Sequence, residues 1–244
     1  MVDDVSPERK LSATRECISY LDIMAHDLLN FNQAVLGYLE LVSSKKMLEG
    51  DNKRYVESAI EQVKNSSQLI EDIQKMTRLG MLEEREIGDI NLTRVIDESI
   101  SDIELLYPDK KIKIEFRKED EEVYVKGTDF LYDVIINILT NSVKFSGSDK
   151  VSIDVSFSRP EAAEHLIDTV VEDHGIGIPD KVKDALMGDR ESDAKSRRAR
   201  GFGLVFVRAI ADHFGGSLIL DDRIAGDHTK GTRIVLRLPE VLHR

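Results

Sequence analysis

Apolar residues recur along the N-terminal third of the chain at alternating steps of three and four. Leu11, Ile18, Leu21, Ala25, Leu28, Val35, Leu39 and Val42 carry the stripe, and Thr14 and Asn32 interrupt it. This is the heptad spacing of a helical bundle or coiled coil, and it predicts one helix over residues 8–48. The stretch EGDNK at 49–53 supplies a turn. Val56, Ile60, Val63, Ile70 and Ile73 then resume a helical period over 53–84. The product is an αα-hairpin with arms on the order of 45–60 Å at the helical rise. One apolar stripe per helix cannot enclose a core of that length. A second copy would complete a four-helix bundle, so a homodimer is predicted.

Near residue 88 the pattern changes. NLTRVIDESISDIELL (91–106) reads as a capped amphipathic helix, and KIKIEF (111–116) alternates with the period of a strand. A short strand is expected around Val123–Val125, a helix over 127–146, and strands at 151–157 and 166–173. GIGIPD breaks the pattern, and GDRESDAKSRRAR (188–200) has no apolar period and reads as a mobile basic loop. A helix over 203–217 and two closing strands, SLILDD and TRIVLRLP, complete the chain. Helices and strands segregate, which predicts an α+β fold with helices on one face of a mainly antiparallel sheet. The predicted division is therefore residues 1–86 as an all-α hairpin and 87–244 as an α+β two-layer sandwich.

Charge narrows the functional classes. Lys and Arg number 34 against 46 Asp and Glu, a net charge of -12, which disfavours nucleic acid and anionic membranes as partners. Cys17 is the single cysteine, so an intrachain disulfide or a cysteine-based zinc site is excluded, and a reducing compartment is expected. No apolar run approaches a membrane span. The expected location is the cytoplasm, with any membrane anchor of a longer protein lying outside this chain.

The candidate chemistry is spread over several short motifs. Neither a Walker A sequence nor GxGxxG occurs. Asn137 and Asn141 share one face of an otherwise apolar helix, followed by Lys144 and Phe145. Amide oxygens suit Mg²⁺, lysine suits a phosphate, and a phenyl ring suits a base; two asparagines on a helix can equally be capped or solvated. Asp173-His174-Gly175-Ile176-Gly177-Ile178 follows an apolar strand. Its glycines permit close backbone approach and its carboxylate can accept from an exocyclic amine, or the segment is a plain turn. Arg197-Arg198-Ala199-Arg200-Gly201-Phe202-Gly203-Leu204 runs into a helix, where free N–H groups and the helix dipole favour an anion. Gly231-Thr232 makes a tight turn into the last strand.

Taken in order, NxxxNxxKF, DxGxGI, GxGL and GT resemble the ATP-binding domain of sensor histidine kinases, a superfamily shared with gyrase and the ninety-kilodalton heat-shock chaperone. The resemblance covers about residues 88–240. It implies that Asn141 holds Mg²⁺ with Asn137 in support, that Lys144 meets the phosphates, and that Phe145 flanks adenine. It further implies that Asp173 recognises the adenine amino group and that Gly175, Gly177 and Ile178 line the pocket. Arg200, Gly201, Gly203 and Leu204 would lie at the phosphates, and Thr232 would close the floor. In the helical hairpin, Met24-Ala25-His26-Asp27-Leu28-Leu29-Asn30 resembles the family's phospho-acceptor box. With Ala25 and Leu28 on the seam, His26 faces solvent. The resemblance makes His26 the nucleophile, Asp27 its orienting acid, and Asn30 a contributor to phosphatase chemistry.

The chain departs from that pattern at Val205, where the family usually has a third glycine, and in lacking a phenylalanine between the two glycine segments. The expected function is that of a two-component kinase core: ATP-dependent autophosphorylation of His26 and transfer to a receiver aspartate of a response regulator. The alternative is a catalytically weak or inactive nucleotide-binding scaffold or phosphatase of the same family, which Val205 would favour.

Overall fold

The computed structural model describes residues 7–44, 50–82, 86–160, 165–187 and 203–242. The chain divides into two compact units, Met1–Met81 and Leu82–Arg244.

The first unit is a hairpin of α1 (Pro7–Ser44) and α2 (Asp51–Leu79). The helix ends at Gly80 rather than running to residue 84: the Gly80 N–H still bonds the Met76 carbonyl at 3.2 Å, but the Met81 N–H turns onto the Arg78 carbonyl at 3.0 Å, which tightens the last turn. Leu11, Thr14, Cys17 and Ile18 have side chains outside the described part. From Leu21 onward the single expected stripe resolves into two rows. Ala25, Leu29, Asn32, Leu36 and Leu39 are covered or half-covered, on the side where the Asn32 amide donates to Ser66 Oγ at 3.1 Å and Ser67 Oγ at 3.2 Å on α2. Leu21, Met24, Leu28, Phe31, Val35, Tyr38 and Val42 form a second three-four row that stays exposed, Phe31 by 68% and Tyr38 by 71%.

The second unit consists of β1 (Gly88–Asn91), α3 (Leu92–Leu106), β2 (Lys111–Arg117), β3 (Tyr124–Gly127), α4 (Phe130–Lys144), β4 (Lys150–Ser158), β5 (Leu166–Asp173), α5 (Asp180–Met187), α6 (Gly203–His213), β6 (Ser217–Ile224) and β7 (Asp227–Val241). The strands form one sheet in the order β1-β3-β7-β5-β4-β2, with β6 also paired to β7. All pairings are antiparallel except β2 with β4.

Alternation places the core. Val171 lies opposite Val155 on β4 and Ile234 on β7, while Leu236 lies opposite Thr169 and Leu218. These positions are buried, and paired residues share a face, so one side of the sheet is a continuous apolar surface. Helices α4 and α6 pack on it with Val134, Ile138, Phe206, Val207 and Ile210 at or near complete burial. The opposite side carries the bidentate Arg237–Asp168 pair, at 2.7 and 2.8 Å, between directly opposed residues of β7 and β5. Helix α3 starts where the sequence predicts: the Asn91 side chain accepts from Arg94 N at 2.9 Å.

Two elements have no counterpart in the periodicity. Strand β1 is held by pairing with β3. Helix α5 buries only Leu186 and is tied down by Lys183, which bonds Asp222 on β6 and Asp180. Among the described residues, no helix is long and apolar enough to cross a membrane.

Phe206 is fully buried and meets the Phe130 ring edge-on at 6.3 Å between centroids. Phe206→Ala should therefore destabilise the second unit by about 3–5 kcal/mol. Urea unfolding followed by circular dichroism, with hydrogen exchange of α6 amides, measures the loss.

Candidate functional site

The site grows from the end of β5. Asp173 is 7% exposed, and its Oδ1 accepts from Gly175 N at 2.9 Å and from Thr232 N at 3.1 Å. Burial raises the carboxyl's pKa above the ordinary 3.8, against the opposing pull of those two N–H groups, the Thr232 hydroxyl and the nearby His174. Desolvation therefore outweighs hydrogen bonding. His174 points away, with Nε2 at 3.0 Å from Asp154 Oδ2 on β4.

The glycines are required by the chain itself. Gly177 has φ +70°, and a Cβ there would lie 1.6 Å from the His228 carbonyl oxygen. Gly231 has φ +108°, and a Cβ there would lie 1.9 Å from the Asp173 carbonyl oxygen. At Gly175 a Cβ would meet the Phe145 carbonyl oxygen at 2.4 Å. The 173–177 loop, the 228–232 segment and the end of α4 are thus drawn together backbone against backbone.

Helix α4 supplies the amides. The Asn137 amide nitrogen donates to the Asp133 carbonyl at 3.0 Å, which fixes its oxygen on the far side. A Cβ at Gly203 would lie 2.9 Å from that oxygen and 3.5 Å from the Asn141 amide nitrogen, so the first turn of α6 abuts the asparagine pair. Phe145 is 53% exposed, and its carbonyl accepts from Ile176 N at 3.0 Å. Lys144 is exposed, Ile178 is half-buried and Leu204 is buried.

The structure therefore brings together Asp173, Gly175, Gly177, Phe145 and Thr232, and, adjoining them through α4, Asn137, Asn141 and Gly203. Arg200 and Gly201 lie outside the described residues, as do Lys195, Arg197 and Arg198 of the basic loop. Lys110 carries no motif in the sequence, yet its Nζ donates to the Val143 carbonyl at 3.2 Å and to Ser146 Oγ and the Ser148 carbonyl at 3.4 Å, capping α4. Among the described residues, no cluster of three or more His, Cys, Asp or Glu could hold a metal by itself. The donor set here, amide oxygens beside an anion-favouring helix start, fits a Mg²⁺ completed by phosphate and water oxygens.

Residues 126–242 match the family described as histidine kinase-, DNA gyrase B-, and HSP90-like ATPase. Sensor histidine kinase AruS of Pseudomonas aeruginosa is 23% identical over 237 residues, covering 93% of this chain and 23% of that protein. Signal transduction histidine-protein kinase BarA of Escherichia coli is 26% identical over 223 residues, covering 88% and 24%. Residues 126–242 thus carry an ATPase domain of that kind, and the chain as a whole is similar to sensor histidine kinases. The chain spans about a quarter of the length of these two relatives. Its fold matches the crystal structure of full-length ShkA in complex with AMPPNP, with a TM-score of 0.61 at 18% identity over 92% of this chain and 46% of that one. A mycobacterial sensor histidine kinase, MprB, matches with a TM-score of 0.51 at 22% identity over 64% and 99%.

In the helical unit, the His26 side chain is 72% exposed. Asn30 Nδ2 lies 3.2 Å from His26 Nδ1, and Asp27 Oδ1 lies 3.5 Å from the same nitrogen.

A pair of substitutions separates crowding from backbone strain. Gly226 has φ +79° with nothing near its Cβ position, so Gly226→Ala should cost about 1–2 kcal/mol. Gly177→Ala combines a similar φ with overlap of a carbonyl and should cost a further 1–3 kcal/mol or so. Urea midpoints of the two variants give the comparison.

Proposed function

We propose that this chain is the transmitter core of a two-component sensor. ATP held by the C-terminal unit donates its γ-phosphoryl to His26 Nε2: the Nε2–P bond forms, the P–O bond to the leaving ADP breaks, and the phosphoryl then passes to an aspartate of a response-regulator receiver domain. The carrying observation is a solvent-facing histidine, with a carboxylate and an amide at its inner nitrogen, on the same chain as an ATPase domain of this family.

Each residue takes a defined part. Asp173 accepts from the adenine amino group, Thr232 closes the floor, and Phe145 flanks the base. Gly175, Gly177 and Ile178 shape the wall. Asn141 would hold Mg²⁺, which neutralises phosphate charge when bound, and Asn137 steadies it. Lys144 and the first turn of α6, with Gly203 and Leu204, meet the phosphates, a role that Arg200 and Gly201 would share. Asp27 orients the His26 ring and stabilises the cation formed on attack. Asn30 positions water for the reverse reaction on a receiver phosphoaspartate.

The exposed apolar row of α1 supports a homodimer: seven large side chains on one helix face are what a second hairpin would cover. Residues 1–86 then serve dimerisation and phosphoacceptance, and residues 87–244 serve catalysis. The reaction belongs in the cytoplasm, where ATP and a receiver are both present.

γ-Labelled ATP tests the reading. The full chain should acquire acid-labile, base-stable label, and His26→Gln should acquire none. An unlabelled wild type that still binds nucleotide supports the scaffold alternative.

Asp173 gives a pH signature. Its ionised form is the stronger acceptor for the adenine amine. Nucleotide affinity should hold at neutral pH and fall as pH drops through the raised pKa, with onset above the ordinary 3.8. Asp173→Asn should bind about ten- to a hundredfold more weakly with a flattened profile, as read by calorimetric titration of an ATP analogue.

A further inference from the structure

His26 has two neighbours on one nitrogen, and they demand opposite protonation states. The Asn30 amide nitrogen, 3.2 Å from Nδ1, is a donor and requires a lone pair there. The Asp27 carboxylate, 3.5 Å from the same atom, is an acceptor and requires N–H. A neutral imidazole carries one proton. Bonding to Asn30 puts it on Nε2, which then has no lone pair to offer phosphorus. Bonding to Asp27 puts it on Nδ1 and leaves Nε2 nucleophilic. The shorter contact is the one to Asn30, and 3.5 Å is at the limit of a hydrogen bond.

We propose that Asn30 is a positioning residue that holds His26 in the Nε2–H tautomer, and that phosphorylation proceeds only when Nδ1 passes from the Asn30 amide to Asp27. Both residues are on α1, at one and four positions from His26, so rotation of the exposed ring or of the Asn30 amide suffices for the exchange. The reactive step then balances. Nε2 attacks Pγ, ADP leaves, and the proton that Nδ1 carries stays bonded to Asp27 or departs through it to solvent. A role for Asn30 in dephosphorylation is separate, since that acts on a partner's phosphoaspartate and not on the ring. The proposal rests on the reading of His26 as the phosphoacceptor.

The test uses the full chain with ¹⁵N-labelled histidine at about pH 8.5, above the usual titration range of imidazole. His26 is assigned by its loss in His26→Gln. Long-range ¹H–¹⁵N spectra should show wild-type His26 as Nε2–H, a larger Nδ1–H share in Asn30→Ala, and a return toward Nε2–H in the double variant Asn30→Ala/Asp27→Asn. With γ-labelled ATP in single turnover and no receiver present, Asn30→Ala should label His26 about two- to tenfold faster than wild type, the range one net hydrogen bond sustains, and the double variant should lose the gain. A wild-type ring that is mainly Nδ1–H, or an Asn30→Ala tautomer ratio equal to that of wild type, overturns the proposal. So does a shifted ratio with an unchanged labelling rate. Absence of label in every variant, with the tautomer shift present, overturns the phosphoacceptor reading instead and leaves Asn30's hold on the ring established.

Discussion

The second unit depends on how its backbone is drawn together at the end of β5. There Asp173 gives one carboxylate oxygen to two backbone N–H groups, from Gly175 just after it and from Thr232, far along the chain on β7. Taking the carboxylate out of water is unfavourable, and its raised pKa shows that the two bonds do not fully offset the penalty. In that position the carboxylate closes the loop onto the opposite strand. Gly177 and Gly231 make the closure possible, each occupying a positive φ with a carbonyl where a side chain would begin. Once the strands are pinned, the Ile176 N–H reaches the Phe145 carbonyl, and the end of α4 is fixed against the loop.

The helical unit follows a different rule. Its inner row on α1, Ala25, Leu29, Leu36 and Leu39, is interrupted by a polar layer, Asn32 with Ser66 and Ser67. Such a layer adds little net stability, but it specifies register, because any slip of one helix along the other strands the amide. Bulk sits on the outer row, with Met24, Phe31 and Tyr38. The hairpin therefore has its specificity inside and its unspent hydrophobic area outside, the arrangement expected of a half-bundle.

Much of this was legible in the sequence, for identifiable reasons. The period-two runs of β2 and β4, the apolar run of β5 and the capped amphipathic α3 are local signals that tertiary structure merely completes. Strand β1 was not legible, since four residues with a single large apolar side chain, Ile90, acquire their conformation only from β3. Helix α5 likewise depends on distant groups: Lys183 with Asp222, and Arg208, which donates to the Leu186 carbonyl at 2.9 Å. The heptad reading merged two rows of α1 into one because adjacent three-four rows share a period and differ only in phase. Among the site residues, sequence marked Asp173, Thr232 and the asparagine pair. It read Gly177 as room for a ligand, whereas that room is taken by the His228 carbonyl. It gave no sign of Lys110, whose role exists only after the chain has folded.

A chain of net charge -12 is a poor receiver for a polyanion at long range. Whatever draws a nucleotide to this unit must act at short range, and the local geometry is arranged for that. Asn137 is locked onto the Asp133 carbonyl, so its oxygen faces the start of α6, and only a glycine at position 203 lets that start come so near. The positive end of the helix dipole and its unsatisfied N–H groups are thereby set beside neutral amides rather than carboxylates. Acids at 137 and 141 would offer a cation stronger ligands but would also oppose the phosphates. Amides leave the helix end unopposed, and they let an acidic surface and an anion-favouring site coexist in one small domain.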